Sequence, residues 1–151
     1  MSHLTAASVA AHLLSIAKSE NVPLTPLKLM KLVYLCHGWS LALRNDSLIL
    51  EEVEAWQYGP VIPQLYNIIK HFRAAPVENI GCYVEAPSDE QKSLIKSVYR
   101  AYNHLTGIQL SDLTHQPGTP WSKTYPNRKQ SSTIPTSLIQ SHFNELKAAR
   151  A

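Results

Sequence analysis

Apolar residues recur at helical spacing along most of the chain, and the pattern is strongest over residues 26–44. Thr25 is suited to cap this helix, and Pro26 fits its first position, where the missing N–H has no helical partner. Apolar side chains cover nearly its whole circumference, which predicts burial by neighbours on several sides. Lys28 and Lys31 mark its one polar stripe. Gly38 continues that stripe, so we expect another backbone to approach there.

Local capping signals place the other helices. A first helix is expected over about 6–20, and Ser88 with Gln91 forms a capping box for a later one. Gly107 is expected to stop that later helix. The residues expected to cap or open the helices outside 26–44 are Thr5, Pro63, Ser88, Ser111, Thr119 and Pro135. The pattern therefore predicts five or six helices around the helix at 26–44.

The segment after this helix has features of a small β element. Ser47–Leu50 and Val53–Tyr58 are the two expected strands, and Gly59-Pro60 is expected to break the second. A lone hairpin is marginally stable, so it would have to lie on the helices. The fold class expected is mainly α: a single compact helical domain over residues 1–151 around a buried central helix, with at most a small β-hairpin.

Composition narrows the protein class. The chain has 151 residues, 44% of them hydrophobic and 17% charged, which argues against disorder. Apolar runs fall short of the roughly 20 residues that span a bilayer, and the N-terminus lacks a signal-peptide pattern. We therefore expect a cytoplasmic protein without a membrane partner. Two cysteines give no disulfide framework, and Cys36, in the apolar helix, is expected to be a buried free thiol.

Charge is distributed unevenly along the chain. Residues 1–91 carry six Lys/Arg and nine Asp/Glu, a net −3, whereas residues 92–151 carry eight Lys/Arg and two Asp/Glu, a net +6. A basic C-terminal part is compatible with nucleic-acid binding, for example in autoregulation. No cluster is dense enough for a nucleic-acid arm, and no helix-turn-helix spacing is visible. A solvated basic surface is the preferred interpretation.

Residues able to support catalysis are scattered. The seven histidines show no metal-binding spacing, and the five glycines form no phosphate loop, so neither a metal nor another cofactor is expected. The acidic cluster at Glu51, Glu52 and Glu54 is interpreted as a solvated hairpin rim. His37 is interpreted as a hydrogen-bonded core histidine. A hydrolase built on His37 or His115 is the enzyme alternative, but the prediction is that the protein is not an enzyme.

Three segments resemble the Panacea antitoxin domain family, whose members are also met as phage-associated or SocA-like proteins. They are TPLKLMKLVYLCHGW at 25–39, EAWQYGPVIPQLY at 54–66 and LTHQPGTPW at 113–121. Their order and spacing match the family as well, and with the helical ends the resemblance covers nearly the whole chain. The segment 74–89 follows no family pattern.

The resemblance implies an antitoxin of a toxin–antitoxin pair, which binds a cognate toxin protein and blocks it. The toxin gene is expected next to that of the antitoxin. It also implies a mainly helical fold with a small β element, and it brings no catalytic residue with it. An adaptor that delivers its bound partner to a protease is an alternative function, as is a nucleic-acid-binding regulator.

The family-like segments also suggest where a partner binds, because Trp and Tyr dominate interface energetics. We expect them to converge on one side of the domain, with Trp39 as the floor. The predicted partner-binding residues are Trp39, Trp56, Tyr58, Gly59, Pro60, His115 and Trp121. The alternative is that they form only the structural core. Solvent exposure of Tyr58 and His115 in a cleft distinguishes the two; if all are buried, segments 74–89 and 125–133 are the next candidates.

Overall fold

Helix α2 lies at the centre of the computed structural model, which describes residues 3–125 and 132–150. The described elements are α1 (Ala6–Ser19), α2 (Pro26–Arg44), β1 (Glu54–Trp56), β2 (Gly59–Val61), α3 (Pro63–Ile69), a 3-10 turn (Lys70–Phe72), α4 (Asp89–Tyr102), α5 (Gly107–Thr114), α6 (Pro120–Thr124), β3 (Ser132–Thr133) and α7 (Thr136–Arg150). Helices account for 61% of the structure. The mainly α fold class is therefore confirmed.

The central helix is buried as its sequence predicts. Every residue from Leu29 to Ala42 is buried, and α1, α4, α5 and α7 all pack against α2. Thr25 caps it by accepting a hydrogen bond from the backbone N–H of Lys28. The apolar circumference of α2 thus forms the middle of the hydrophobic core.

The polar stripe expected on α2 is wrong in detail. Lys31 is only 2% exposed, and its ammonium group donates to the carbonyl of Pro60. Lys28 is half-buried and donates to the carbonyl of Asn103. Further along, Gly38 is approached by the ring of Phe143 on α7 and not by another backbone. The lysines satisfy backbone carbonyls of neighbouring segments, so this face of α2 is packed as well.

The β element is a three-stranded antiparallel sheet in the order β2-β1-β3, and its hairpin lies further along the chain than expected. Glu54 pairs with Val61 and Trp56 with Gly59. The first expected strand, Ser47–Leu50, instead forms an isolated parallel bridge with Leu4. The proline of Gly59-Pro60 does not break β2, because β2 is an edge strand, where a missing N–H is tolerated.

The start of α5 also differs from the expectation. Gly107 opens this helix and does not stop the preceding one, which ends at Tyr102. Thr106 and Gln109 form a complete capping box that fixes the start. Ser111, expected to be a cap, therefore lies inside α5. The capping box of Ser88 and Gln91 is confirmed at the start of α4.

Both cysteines are free, as expected, with Cys36 buried and Cys82 exposed. Burial raises the pKa of the Cys36 thiol well above its ordinary value. Within residues 3–125 and 132–150, none of the helices combines the length and apolar character that crossing a bilayer requires.

Candidate partner-binding site

A cleft of about 550 Å³ opens between the start of α2, the β1–β2 hairpin and α3. We call it the hairpin cleft. Its lining residues are Pro26, Leu27, Met30, Lys31, Trp56, Gln57, Tyr58, Val61, Tyr66, Ile69, Lys70 and Arg73. Two of the predicted partner-binding residues, Trp56 and Tyr58, are among them. This volume lies within the range typical of small-ligand pockets and is suited to a side chain or a short segment.

Three hydrogen bonds from three different helices hold the backbone of the hairpin. Lys31 of α2 donates to the carbonyl of Pro60 over 2.8 Å, and Ser111 of α5 donates to the carbonyl of Tyr58 over 2.8 Å. The indole N–H of Trp121, on α6, donates to the carbonyl of Trp56. Each partner comes from a separate part of the chain, so the hairpin is fixed in place by the helical body.

Aromatic side chains of the hairpin and of α3 line the cleft. The rings of Trp56 and Tyr66 meet edge to face, with centroids 5.1 Å apart, and the indole N–H of Trp56 donates to Glu54. Tyr58 lies at the turn with 69% of its surface exposed, although its backbone is anchored. The hairpin therefore presents a large aromatic side chain to solvent from a fixed backbone.

Lys31 is the cationic residue on the α2 side of the cleft. Burial lowers the pKa of its ammonium group to about 8. Gly59 lies directly beside it: a β-carbon there would come within 3.0 Å of the Lys31 nitrogen, and the φ of +124° disfavours other residues. Glycine is thus favoured at the turn chiefly by its conformation, and the close approach of the lysine adds to this preference.

The cleft is cationic at its rim too. Lys70 and Arg73 line it on the α3 side, and the Lys70 nitrogen lies 5.7 Å from the centre of the Tyr66 ring. None of the described lining residues is Asp or Glu. Tyr66 and Lys70 lie four residues apart, so they project from one side of α3 and its 3-10 extension, and Arg73 directly follows the end of that extension.

A second aromatic group lies behind the hairpin. The rings of His115 and Trp121 meet edge to face at 5.2 Å, and Trp121 stacks on Tyr125 at 4.8 Å. His115 is half-buried, and its Nδ1 is hydrogen-bonded to the carbonyl of Ser111. Because Trp121 also donates to Trp56, this group is directly connected to the hairpin.

Six of the seven predicted partner-binding residues are therefore brought together, and Trp39 is not. The expectation that Trp39 forms the floor is wrong. Its indole N–H donates to the hydroxyl of Tyr102 over 3.0 Å, and its ring packs on Phe143 and Arg150. The physical reason is helix length: eight residues separate Trp39 from Lys31, which is about 12 Å along α2.

Several residues of the cleft were not predicted from sequence, namely Lys31, Tyr66, Lys70 and Arg73. The four-residue spacing of Tyr66 and Lys70 was a usable signal for these two, whereas Arg73, which follows the last turn with a φ of 56°, had none. The burial of Lys31 had no such signal. It depends on the carbonyl of Pro60, which is 29 residues away in sequence.

The two histidines of the enzyme alternative make structural contacts. His37 accepts a hydrogen bond from the backbone N–H of Leu48 over 3.3 Å, and burial lowers its pKa to about 4, with a smaller contribution from His3. His37 is therefore a neutral, hydrogen-bonded core histidine, as interpreted. The ring of His115 is bonded to backbone as well. These contacts favour structural roles over a hydrolase.

The acidic cluster at the hairpin also has structural contacts. Both carboxylate oxygens of Glu51 accept from the backbone N–H of Ala6, over 2.9 and 3.1 Å, at the N-terminus of α1. A carboxylate is favourable there because the helix dipole is positive. Within the described part of the chain, no group of three or more His, Cys, Asp or Glu is arranged to hold a metal ion.

Sequence comparison with known proteins identifies a family whose match covers the aromatic hairpin and the helices that support it. The family model described as "Antitoxin SocA-like, Panacea domain" matches residues 29–122, which include most of α2, the hairpin, α5 and Trp121. Antitoxin SocA of Caulobacter vibrioides (strain NA1000 / CB15N) is 28% identical over 127 residues, covering 77% of this chain and 68% of that protein. No solved structure matches the chain significantly. The chain belongs to the SocA-like antitoxin family with a Panacea domain.

Proposed function

We propose that the protein neutralises a cognate toxin protein by binding it directly, through the surface formed by the hairpin and its aromatic support. The residues assigned to this surface are Trp56, Tyr58, Gly59, Pro60, His115 and Trp121. Membership of an antitoxin family supports the general role. The observation that carries the proposed site is the exposure of Tyr58, at 69%, on a backbone anchored by Ser111.

The physical argument is preorganisation. Tyrosine and tryptophan bury large, rigid areas at low cost in side-chain entropy, which makes them frequent binding hot spots. Because the hairpin backbone is already fixed, binding orders little beyond the side chains themselves. In this proposal Trp39 supports the fold and does not contact the toxin. Residues 1–151 are proposed to act as one domain in the cytoplasm, and no catalytic step or cofactor is involved.

The test uses the neighbouring gene. Its product, expressed alone, is expected to arrest growth, and co-expression of this chain is expected to restore growth through a complex that co-purifies. Tyr58→Ala should stay folded but lose both rescue and co-purification. Tyr83→Ala is the matched control, because Tyr83 is 85% exposed in the segment 74–89 that follows no family pattern.

The outcomes separate the alternatives. Normal growth with the neighbour alone counts against a toxin. Rescue that survives Tyr58→Ala but not Tyr83→Ala moves the surface to segment 74–89. The other expected segment, 125–133, lies largely outside the described residues, which omit 126–131. Partner abundance distinguishes blocking from delivery to a protease, since only an adaptor lowers it. An operator-DNA titration at low salt tests the nucleic-acid alternative.

A further inference from the structure

Building on the proposed function, we propose that the hairpin cleft receives an acidic segment of the partner protein. In this arrangement one apolar side chain of the partner enters the cleft, and adjacent carboxylates pair with Lys31, Lys70 and Arg73.

Charge complementarity is the first argument. Residues 1–91 have a net charge of −3, yet the cleft, built from this part of the chain, has three cations in its lining. None of the described lining residues is acidic. A cleft with cations on both walls concentrates positive potential and selects anionic partners.

The position of Lys31 is the second argument. An ammonium group has three N–H donors, and the hydrogen bond that Lys31 makes to a described residue goes to the carbonyl of Pro60. A buried cation without an anion is unfavourable, and a carboxylate entering the cleft would compensate this charge. Lys31 is only 2% exposed yet is among the residues that line the cleft, and in this proposal a ligand carboxylate approaches its ammonium group from the cleft side.

The apolar part of the lining indicates which side chain of the partner accompanies the carboxylates. Leu27, Met30 and Val61 form an apolar wall near the charged groups, and Trp56 with Tyr66 adds aromatic surface. These groups favour an apolar or aromatic anchor side chain. A cleft of about 550 Å³ suits one such anchor with its flanking backbone. A nucleic-acid backbone would instead be expected to need an extended row of cations.

The experiment uses the purified full chain and a display library of random 12-residue peptides as the probe. Enriched peptides are expected to combine Asp or Glu with a neighbouring Leu or aromatic residue. A synthetic peptide from this set should bind at least about tenfold more tightly than its Asn/Gln analogue, a difference that one lost charged contact readily accounts for. Its binding should also weaken as salt is raised.

Matched double variants test the location. Lys70→Gln with Arg73→Gln removes two exposed charges at the cleft, and Lys96→Gln with Arg100→Gln removes two exposed charges from α4. Both variants have the same net charge. Only the first is expected to lose peptide binding, by about tenfold or more, while thermal unfolding of both stays close to that of the parent.

Neutral or basic enriched peptides, no enrichment, or equal binding by the two double variants would overturn the inference. A dimer of the parent chain that dissociates only in the Lys70/Arg73 variant would overturn it too, because the cleft would then hold a second copy. The growth assay distinguishes failure of the acidic-segment inference from failure of the proposed function. Rescue by the parent and by both variants leaves the antitoxin role standing without this cleft chemistry, whereas no rescue by the parent contradicts the role itself.

Discussion

The ring of Phe143 occupies the space where a β-carbon on Gly38 would lie. This contact joins the last helix to the central one. The same ring meets Tyr34 and Trp39 edge to face, with centroids 5.9 and 5.5 Å away. Phe143 is 1% exposed. This buried ring can take its position only because residue 38 has no side chain.

Gly38→Ala is therefore expected to destabilise the protein by about 1–3 kcal/mol through overpacking, although alanine is the better helix former by about 1 kcal/mol. Chemical denaturation measures the loss. The double variant Gly38→Ala with Phe143→Leu should lose less than the two single variants added together, because the smaller side chain makes room. Ser93→Ala, at an exposed position of α4, is the control. Unchanged stability of Gly38→Ala would contradict the packing.

Trp39→Ala is expected to cost about 3–5 kcal/mol, as truncation of a large core residue does. Trp39 is 5% exposed, and its indole bonds to Tyr102. Trp39→Phe keeps ring packing and loses the hydrogen bond, so a smaller loss of about 1–3 kcal/mol is expected, since the Tyr102 hydroxyl keeps only the longer hydrogen bond from Arg150. Equilibrium unfolding checks both. A loss below about 1 kcal/mol for Trp39→Ala would place the residue at the surface.

Sequence predicted the fold best where the signal is local. Caps at Thr25 and Ser88 act within one helical turn, so the helix starts were found. At Gly107 two local signals competed, a glycine stop and the Thr106 capping box, and the box prevailed. The hairpin was misplaced because 47–50 has strand-like residues. Segment 47–50 instead pairs with Leu4, which is distant in sequence, and local patterns do not reveal such a pairing.

The site was predicted less well than the fold, for a physical reason. The aromatic residues of the hairpin were recognised because they lie in one continuous segment, although the strand positions were wrong. Trp39 was wrongly placed beneath it because spacing along a helix does not reveal which neighbouring helix covers each turn. The burial of Lys31 depends on Pro60 and Gly59, which reach it only after the hairpin has folded onto α2.

The titration of His37 predicts how the free energy of unfolding depends on pH. The ordinary pKa of 6.5 falls to about 4 for His37 in the folded protein, chiefly through burial. The unfolded ring takes up a proton below about pH 6.5 and the folded ring does not. The free energy of unfolding should therefore fall as pH drops from about 6.5 to about 4, by on the order of 3 kcal/mol from this group.

His37→Asn removes this titration and retains an acceptor for the Leu48 N–H, so the stability of the variant should depend less on pH in that window. Burial also lowers the pKa of His12 and His142, and these leave a residual slope of the same sign. Denaturation midpoints between pH 4 and 7 provide the measurement. Identical slopes for the parent and His37→Asn would show that His37 is not the titrating core group.

Thiol labelling tests the burial of α2. Cys82 is exposed and should react quickly with a thiol reagent in the folded protein. Cys36 is fully buried with a raised pKa, so it should react only after unfolding. Cys82→Ser leaves one thiol and should show almost no native labelling. Rapid modification of Cys36 in the folded Cys82→Ser variant would contradict the buried central helix.

Variants of Arg73 test backbone strain and the proposed recognition of an acidic segment together. It lines the hairpin cleft, yet its backbone has a φ of 56° and a ψ of −114°, which L side chains rarely adopt. Such strain costs on the order of 1–3 kcal/mol and is found often at functional sites. Glycine accepts this conformation freely. Arg73→Gly is therefore expected to raise the free energy of unfolding by about 1 kcal/mol, after allowing for glycine's greater freedom in the unfolded chain.

The comparison that isolates the strain is Arg73→Ala, which removes the same charge but keeps a β-carbon in the strained position. Both variants should weaken binding of an acidic peptide equally, because both lose the guanidinium group. Only Arg73→Gly should unfold at a higher temperature than the parent. If the glycine variant were no more stable than the alanine variant, the backbone at residue 73 would be unstrained. If both bound as the parent does, the arginine would take no part in recognition, and its conformation would have only a structural cause.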